Sequence, residues 1–207
     1  MKYKALIFDI DGTLLDTESC VLISLQHTLY RTTGKMYKKE DLYFALGIPG
    51  EDALKQLGIP HVKYVMNIWE EYYKQYSFMT KNFPGMYEAL DKLNSKNITL
   101  GIVTSKTRKE YKNDFEPHPF SNFFPISICA DDTLLHKPNP EPLLAALEKL
   151  KVNPYEAIYI GDSCYDMECA KKANVAGALA LWGCRLPDNI SATWKLTSPS
   201  DIFSILE

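Results

Sequence analysis

Asp9-Ile10-Asp11-Gly12-Thr13 places two carboxylates two positions apart, directly after a short apolar run. In an extended backbone such residues project to the same side, so Asp9 and Asp11 share one spot. Asp, Gly and Thr are also ordinary turn and cap residues, and the motif gains weight only from three other segments. Thr104-Ser105 closes a second apolar run, Lys137 stands in His136-Lys137-Pro138, and a further run ends in Gly161-Asp162-Ser163-Cys164-Tyr165-Asp166. Gathering Asp9, Asp11, Asp162 and Asp166 in one place is costly, because two carboxylates about 5 Å apart repel by roughly 3 kcal/mol at an effective dielectric of 20. Cations must relieve that repulsion. Mg2+ suits an all-oxygen set, since it keeps several waters and is usually held by one or two carboxylates plus a substrate phosphate. Lys137 would add a second positive charge.

These residues meet only if the elements carrying them share one edge of a sheet. Apolar runs bounded by turn signals predict strands at Ala5–Phe8, Ile98–Val103, Ile126–Cys129, Ala157–Ile160 and Ala178–Trp182. Helical spacing falls between them, at Met86–Ser95, Thr107–Asp114, Pro140–Leu150 and Tyr165–Ala173. The alternation predicts an α/β protein with a doubly wound, parallel-sheet, Rossmann-like core, in which the carboxyl ends of the strands form the binding crevice. From Thr17 to Lys81 no strand pattern stands out, while helical spacing recurs in Val21–Tyr30, Glu51–Leu57 and Val62–Tyr76. This predicts an all-helical insertion over 17–82 in a core made of 1–16 and 83–207. Asp16-Thr17 and Asn82-Phe83-Pro84-Gly85 mark the crossings. Tyr64, Ile68, Tyr72 and Tyr76 lie at helical spacing, which favours a packed face within the insertion.

Composition narrows the function classes. In 207 residues, 46% are hydrophobic and 24% charged, which excludes a disordered, collagen-like or disulfide-scaffold chain. A net charge of -3 is too weak to imply a nucleic-acid or membrane partner, so the partner is expected to be small. The apolar run before Asp9 is too short for a signal peptide, and none elsewhere has a membrane-spanning length, so a cytoplasmic location is expected. Five cysteines, Cys20, Cys129, Cys164, Cys169 and Cys184, without a C-x-x-C pair fit reduced thiols.

With Asp9–Leu14, Thr104, Lys137 and Gly161–Asp166 in this order, the chain resembles the haloacid dehalogenase-like hydrolase superfamily, in the branch with phosphoglycolate phosphatases, pyrophosphatases and β-phosphoglucomutases. The likeness extends over essentially the whole chain and includes a helical cap inserted after the first motif. It implies that Asp9 attacks the phosphorus of a small phosphorylated metabolite, giving an aspartyl-phosphate that water hydrolyses. Asp11 would serve as acid and then base. Gly12, Thr13, Thr104, Ser105 and Lys137 would hold the phosphoryl group, and Thr104 and Lys137 count with Asp9 and Asp11 among the catalytic residues. Mg2+ would be held by Asp9, the backbone carbonyl of Asp11, and Asp162, with Asp166 in the outer shell or orienting Lys137. A monomer or weak homodimer is expected.

Other readings compete less well. A dehalogenase releases a halide and has no alkoxide to protonate, so Asp11 argues against one. In β-phosphoglucomutases a cap arginine grips the far phosphate, whereas Leu46-Gly47-Ile48-Pro49-Gly50-Glu51 contains none. A response-regulator receiver, which signals instead of turning over substrate, is shorter and has no use for an acid two residues beyond the phosphorylated one. His136, Lys106 and the pair Asp131-Asp132 also lie near the expected sheet edge, where Asp131-Asp132 could simply cap a turn.

Overall fold

Ala5–Phe8 (β1) is apolar at every position and buried on both faces, as a strand inside a parallel sheet must be. Leu6 and Phe8 point into one hydrophobic layer with Phe115 and Ile160, while Ala5 and Ile7 point into the other with Leu143 and Leu147. The computed structural model describes residues 3–96 and 98–206. After β1 come a two-residue strand β2 (Leu15–Asp16), helices α1 (Glu18–Thr33), α2 (Gly50–Gln56) and α3 (Val62–Tyr76), and a second short strand β3 (Lys81–Asn82). The chain continues with α4 (Met86–Asn94), β4 (Thr99–Val103), α5 (Arg108–Glu110), β5 (Ile126–Ile128), α6 (Glu141–Leu150), β6 (Ala157–Gly161), α7 (Cys164–Lys172), β7 (Ala176–Ala180) and β8 (Trp194–Leu196).

Six strands form one sheet in the order β5-β4-β1-β6-β7-β8, with every neighbouring pair parallel. Numbered among themselves they run 3-2-1-4-5-6, the doubly wound order whose direction of winding reverses beside β1. The carboxyl ends of β1, β4 and β6 therefore open at the switch point. Helices α1 to α3 bury a separate cluster that includes Leu25, Leu29, Leu54 and Trp69, and Trp69 Nε1 donates to Ser24 Oγ at 2.9 Å.

Several expectations shift. The two crossings at 15–16 and 81–82 pair as an antiparallel ribbon, Leu15 opposite Asn82 and Asp16 opposite Lys81, so the segment ending at Lys81 is not purely helical. The strand expected at Ala178–Trp182 starts two residues earlier, because Gly177 exchanges hydrogen bonds with Thr193 and is drawn into the sheet. Trp182 instead leaves the sheet, its Nε1 donating to Thr13 O at 2.9 Å. β8 is too short to carry a periodic signal. Thr107–Asp114 is one capped α-turn followed by a π-turn over Tyr111–Phe115, which turns Tyr111 and Phe115 inward. The buried face of α3 is Val65, Ile68 and Trp69, leaving Tyr64 64% exposed, while Tyr72 and Tyr76 pack edge-on against His27. All five cysteines are free, and no helix among the described residues is long and apolar enough to cross a membrane.

Candidate active site

β1 ends with Asp9 N donating to Ile160 O at 2.9 Å, which fixes Asp9 beside the end of β6. The chain then coils on itself, the amides of Thr13, Leu14 and Leu15 all reaching Ile10 O. Gly12 makes that turn at φ 78°, and a Cβ there would lie 2.3 Å from an Asp162 carboxylate oxygen, so both conformation and space require glycine. The turn brings Thr13 Oγ1 to 3.3 Å from Asp162 Oδ1.

Lys137 enters from the loop before α6, through a cis Lys137-Pro138 peptide, and is buried. Its Nζ lies 3.1 Å from Asp9 Oδ1 and 2.7 Å from Asp166 Oδ1. Asp166 is also held by Tyr159 OH at 2.9 Å, by Ser163 N at 3.0 Å and by Ser163 Oγ at 2.5 Å. The Ser163 contacts are the capping box of α7, so the residue that starts the helix also orients the carboxylate. Asp9, Asp162 and Asp166 each offer an oxygen within 4.8 Å of the others. Burial pushes the Asp9 and Asp162 carboxyls up, against the pull of Lys137. Burial would discharge Lys137, but Asp166 and Asp9 outweigh it and hold the ammonium well above its ordinary value. One lysine faces three carboxylates, so the site retains an excess of negative charge that an oxygen-seeking cation would neutralise. The donor set fits Mg2+. Asp9 and Asp162 have coordination capacity left, whereas the oxygens of Asp166 are already taken.

Asp11 stands outside that trio. Its Oδ1 lies 3.3 Å from Lys106 Nζ, and it is buried without a hydrogen bond. The same ammonium stands 3.3 Å from Asp114 Oδ2 and donates to Tyr73 OH of α3 at 3.3 Å. Burial opposes the charge on Lys106, but Asp11, Tyr73 and Asp114 together keep it protonated. Thr104 is buried after β4, its Oγ1 accepting from Lys106 N at 3.2 Å. Ser105 Oγ donates to Gly47 O at 2.8 Å, which ties the loop before α2 to the sheet edge. Asp9, Asp11, Gly12, Ser105 and Asp162 line one crevice, with Lys137 and Thr13 contacting Asp9 and Asp162, Asp166 beside them and Thr104 buried at the end of β4, whereas Asp131 and Asp132 do not line it. They bind Arg108 and the Cys129 amide and serve the local turn. Tyr159, Ser163, Tyr73 and Asp114 were not anticipated. Of these only Ser163 had a local signal, the S-x-x-D spacing before α7.

The crevice opens into a cavity of about 1280 Å3 between the sheet edge and the helical segment. Residues 6–180 match the model of a family described as haloacid dehalogenase-like hydrolase. A pyrophosphatase PpaX of Oceanobacillus iheyensis is 30% identical over 88% of this chain and 85% of its own. A solved structure from Lactobacillus plantarum, provisionally described as a phosphoglycolate phosphatase, superposes with a TM-score of 0.90 at 34% identity, covering 99% of this chain and 100% of the other. One from Thermotoga maritima, provisionally described as a β-phosphoglucomutase, reaches 0.73 at 25% identity over 98% of each.

Proposed function

The chain belongs to the haloacid dehalogenase-like hydrolases, its relatives there include one named a pyrophosphatase, and from that premise we propose that it hydrolyses a small phosphomonoester, with Mg2+, through an aspartyl-phosphate on Asp9. The observation that carries this reading is the trio Asp9, Asp162 and Asp166, with the buried Lys137 paired to Asp9 and Asp166. An Asp9 carboxylate oxygen attacks phosphorus as the bond to the alcohol oxygen breaks, and Asp11 gives the departing alcohol its proton. Water then attacks the same phosphorus, Asp11 takes up the proton, and phosphate leaves Asp9 free. Mg2+, held by Asp9, Asp162 and the Asp11 main-chain carbonyl, would lower the negative charge between nucleophile and phosphoryl oxygens. Lys137 supplies a fixed positive charge, and Asp166 keeps its ammonium aimed at Asp9. Thr104, Ser105, Gly12 and Thr13 line the phosphoryl end.

Residues 17–82 act in this reading as a cap whose paired strands β2 and β3 are the hinge, closing to exclude water during transfer. The test is phosphate release from a panel of small esters with and without Mg2+. Magnesium-dependent release that Asp9→Asn abolishes supports the reading. Release that survives in Asp9→Asn defeats it.

A further inference from the structure

The phosphoryl group needs only the floor of the cavity, so the remaining walls select the alcohol. Setting aside Asp9 and Asp162 on the floor, the cavity is faced by Asp11, Glu18, Glu70, Glu71, Glu110 and Asp114. Its cationic lining is Lys74, Lys106 and Arg185. Arg185 is not available to a ligand, since it is bonded to both Glu18 oxygens and lies over the Tyr43 ring at 3.8 Å. Lys106 is equally committed, standing 3.3 Å from Asp11 and 3.3 Å from Asp114. Glu70 and Glu71 are paired outward, with Lys109 at 2.5 Å and Arg31 at 3.2 Å. His118 adds no charge, because burial lowers it and its Nε2 meets Asn82 Oδ1 at 3.0 Å. Among the described residues, Lys74 is the cavity cation without a carboxylate partner, and it sits exposed, where solvent screens it.

Glu110 is committed as well, accepting from Thr107 N at 2.6 Å and Thr107 Oγ1 at 2.8 Å. A second anion brought into this space would meet carboxylates whose cations are already committed, with only the solvent-exposed Lys74 left to offset it. Resting on the phosphatase reading above, we infer that the substrate's alcohol carries no second negative charge: it is an uncharged or cationic alcohol. Phosphoglycolate and pyrophosphate, each with a second anionic group, are therefore poor substrates of this chain.

Three esters that differ only in their terminal group isolate the effect: 2-phosphoglycolate (carboxylate), 2-hydroxyethyl phosphate (hydroxyl) and 2-aminoethyl phosphate (ammonium). With Mg2+ and the full chain, kcat/KM for the hydroxyl and ammonium esters should each exceed that for the carboxylate ester by at least about tenfold, which corresponds to about 1.4 kcal/mol. Asp114→Asn, which leaves Lys106 one carboxylate short, should narrow the ratio several-fold. Equal or faster turnover of 2-phosphoglycolate by the wild type overturns the inference while the phosphatase reading stands. A ratio unchanged in a folded Asp114→Asn protein removes its physical basis and overturns it too. Release no greater than that of Asp9→Asn for all three esters fails the phosphatase reading, and the inference falls with it.

Discussion

Lys137 and Lys4 each pair with a carboxylate, yet their surroundings give the two pairs opposite consequences. Lys137 is buried between Asp9 and Asp166, so removing it leaves two carboxylates out of water with no counter-charge. Breaking a buried pair from one side typically costs about 3–5 kcal/mol. Lys137→Met should lose stability on that scale in urea unfolding without divalent cation, and a midpoint equal to wild type would show that solvent reaches the carboxylates. Lys4 and Glu156 meet where β1 and β6 begin, and there the effect is one of pH. The hydrogen bond from Lys4, with those from Asn153, pulls the Glu156 carboxyl down from its ordinary 4.5 to about 2. A carboxyl that holds its proton less tightly when folded stabilises the fold above about pH 4.5 and loses that contribution as pH falls toward 2. Melting curves of wild type and Glu156→Gln should therefore converge across this window. A gap that stays constant from pH 5 to 2.5 would assign the effect to packing instead of charge.

Between residue and domain, the loop before α2 is the element that couples the helical segment to the chemistry. Gly47 lies at φ 91°, and a Cβ there would stand 3.1 Å from Ser163 Oγ and 3.2 Å from the Tyr165 ring. Alanine pays about 1–2 kcal/mol for a left-handed backbone, and the contact adds to it, so the loop should lift from the sheet edge and release the Ser105 bond. Gly47→Ala should lower kcat/KM about tenfold, and unchanged kinetics would show that the loop is not seated during turnover. Such elements also mark how far the sequence could be read. β1, β4 and β6 were legible because each is an apolar run ending in Asp, Thr or Gly-Asp, and their ends bring the motif residues together. β2 and β3 were not, because a two-residue ribbon has no period and depends on pairing across the whole stretch from residue 17 to residue 80. Lys106 was visible only as a charge near a strand end. Its partners Asp114 and Tyr73 come from a π-turn and from the far helix of the insertion, a meeting that tertiary packing alone decides. Of the stripe at Tyr64, Ile68, Tyr72 and Tyr76, Ile68 is buried and Tyr72 and Tyr76 pack against His27 of α1, while Tyr64 faces out because α3 turns Val65 and Trp69 inward beside Ile68.

At the scale of the whole molecule, the doubly wound sheet concentrates charge that its own side chains do not balance. Asp9, Asp162 and Asp166 arrive from the ends of β1 and β6 and from α7, and among the described residues Lys137 is the cation paired with them. The fold therefore carries an electrostatic cost that a bound divalent cation relieves, and whatever binds only the folded chain stabilises it by mass action. At about 100 times its dissociation constant Mg2+ should contribute about 2.7 kcal/mol. For a chain of this length each kcal/mol raises the melting temperature by about 2–4 °C, so a rise of about 5–10 °C is expected. Asp162→Ala should erase most of that increment, because it removes one of the two carboxylates with coordination capacity left. Chelation should return the wild type to its metal-free melting temperature. An equal rise in wild type and Asp162→Ala would mean that the cation stabilises the chain from another position and that the acidic trio bears its repulsion unaided.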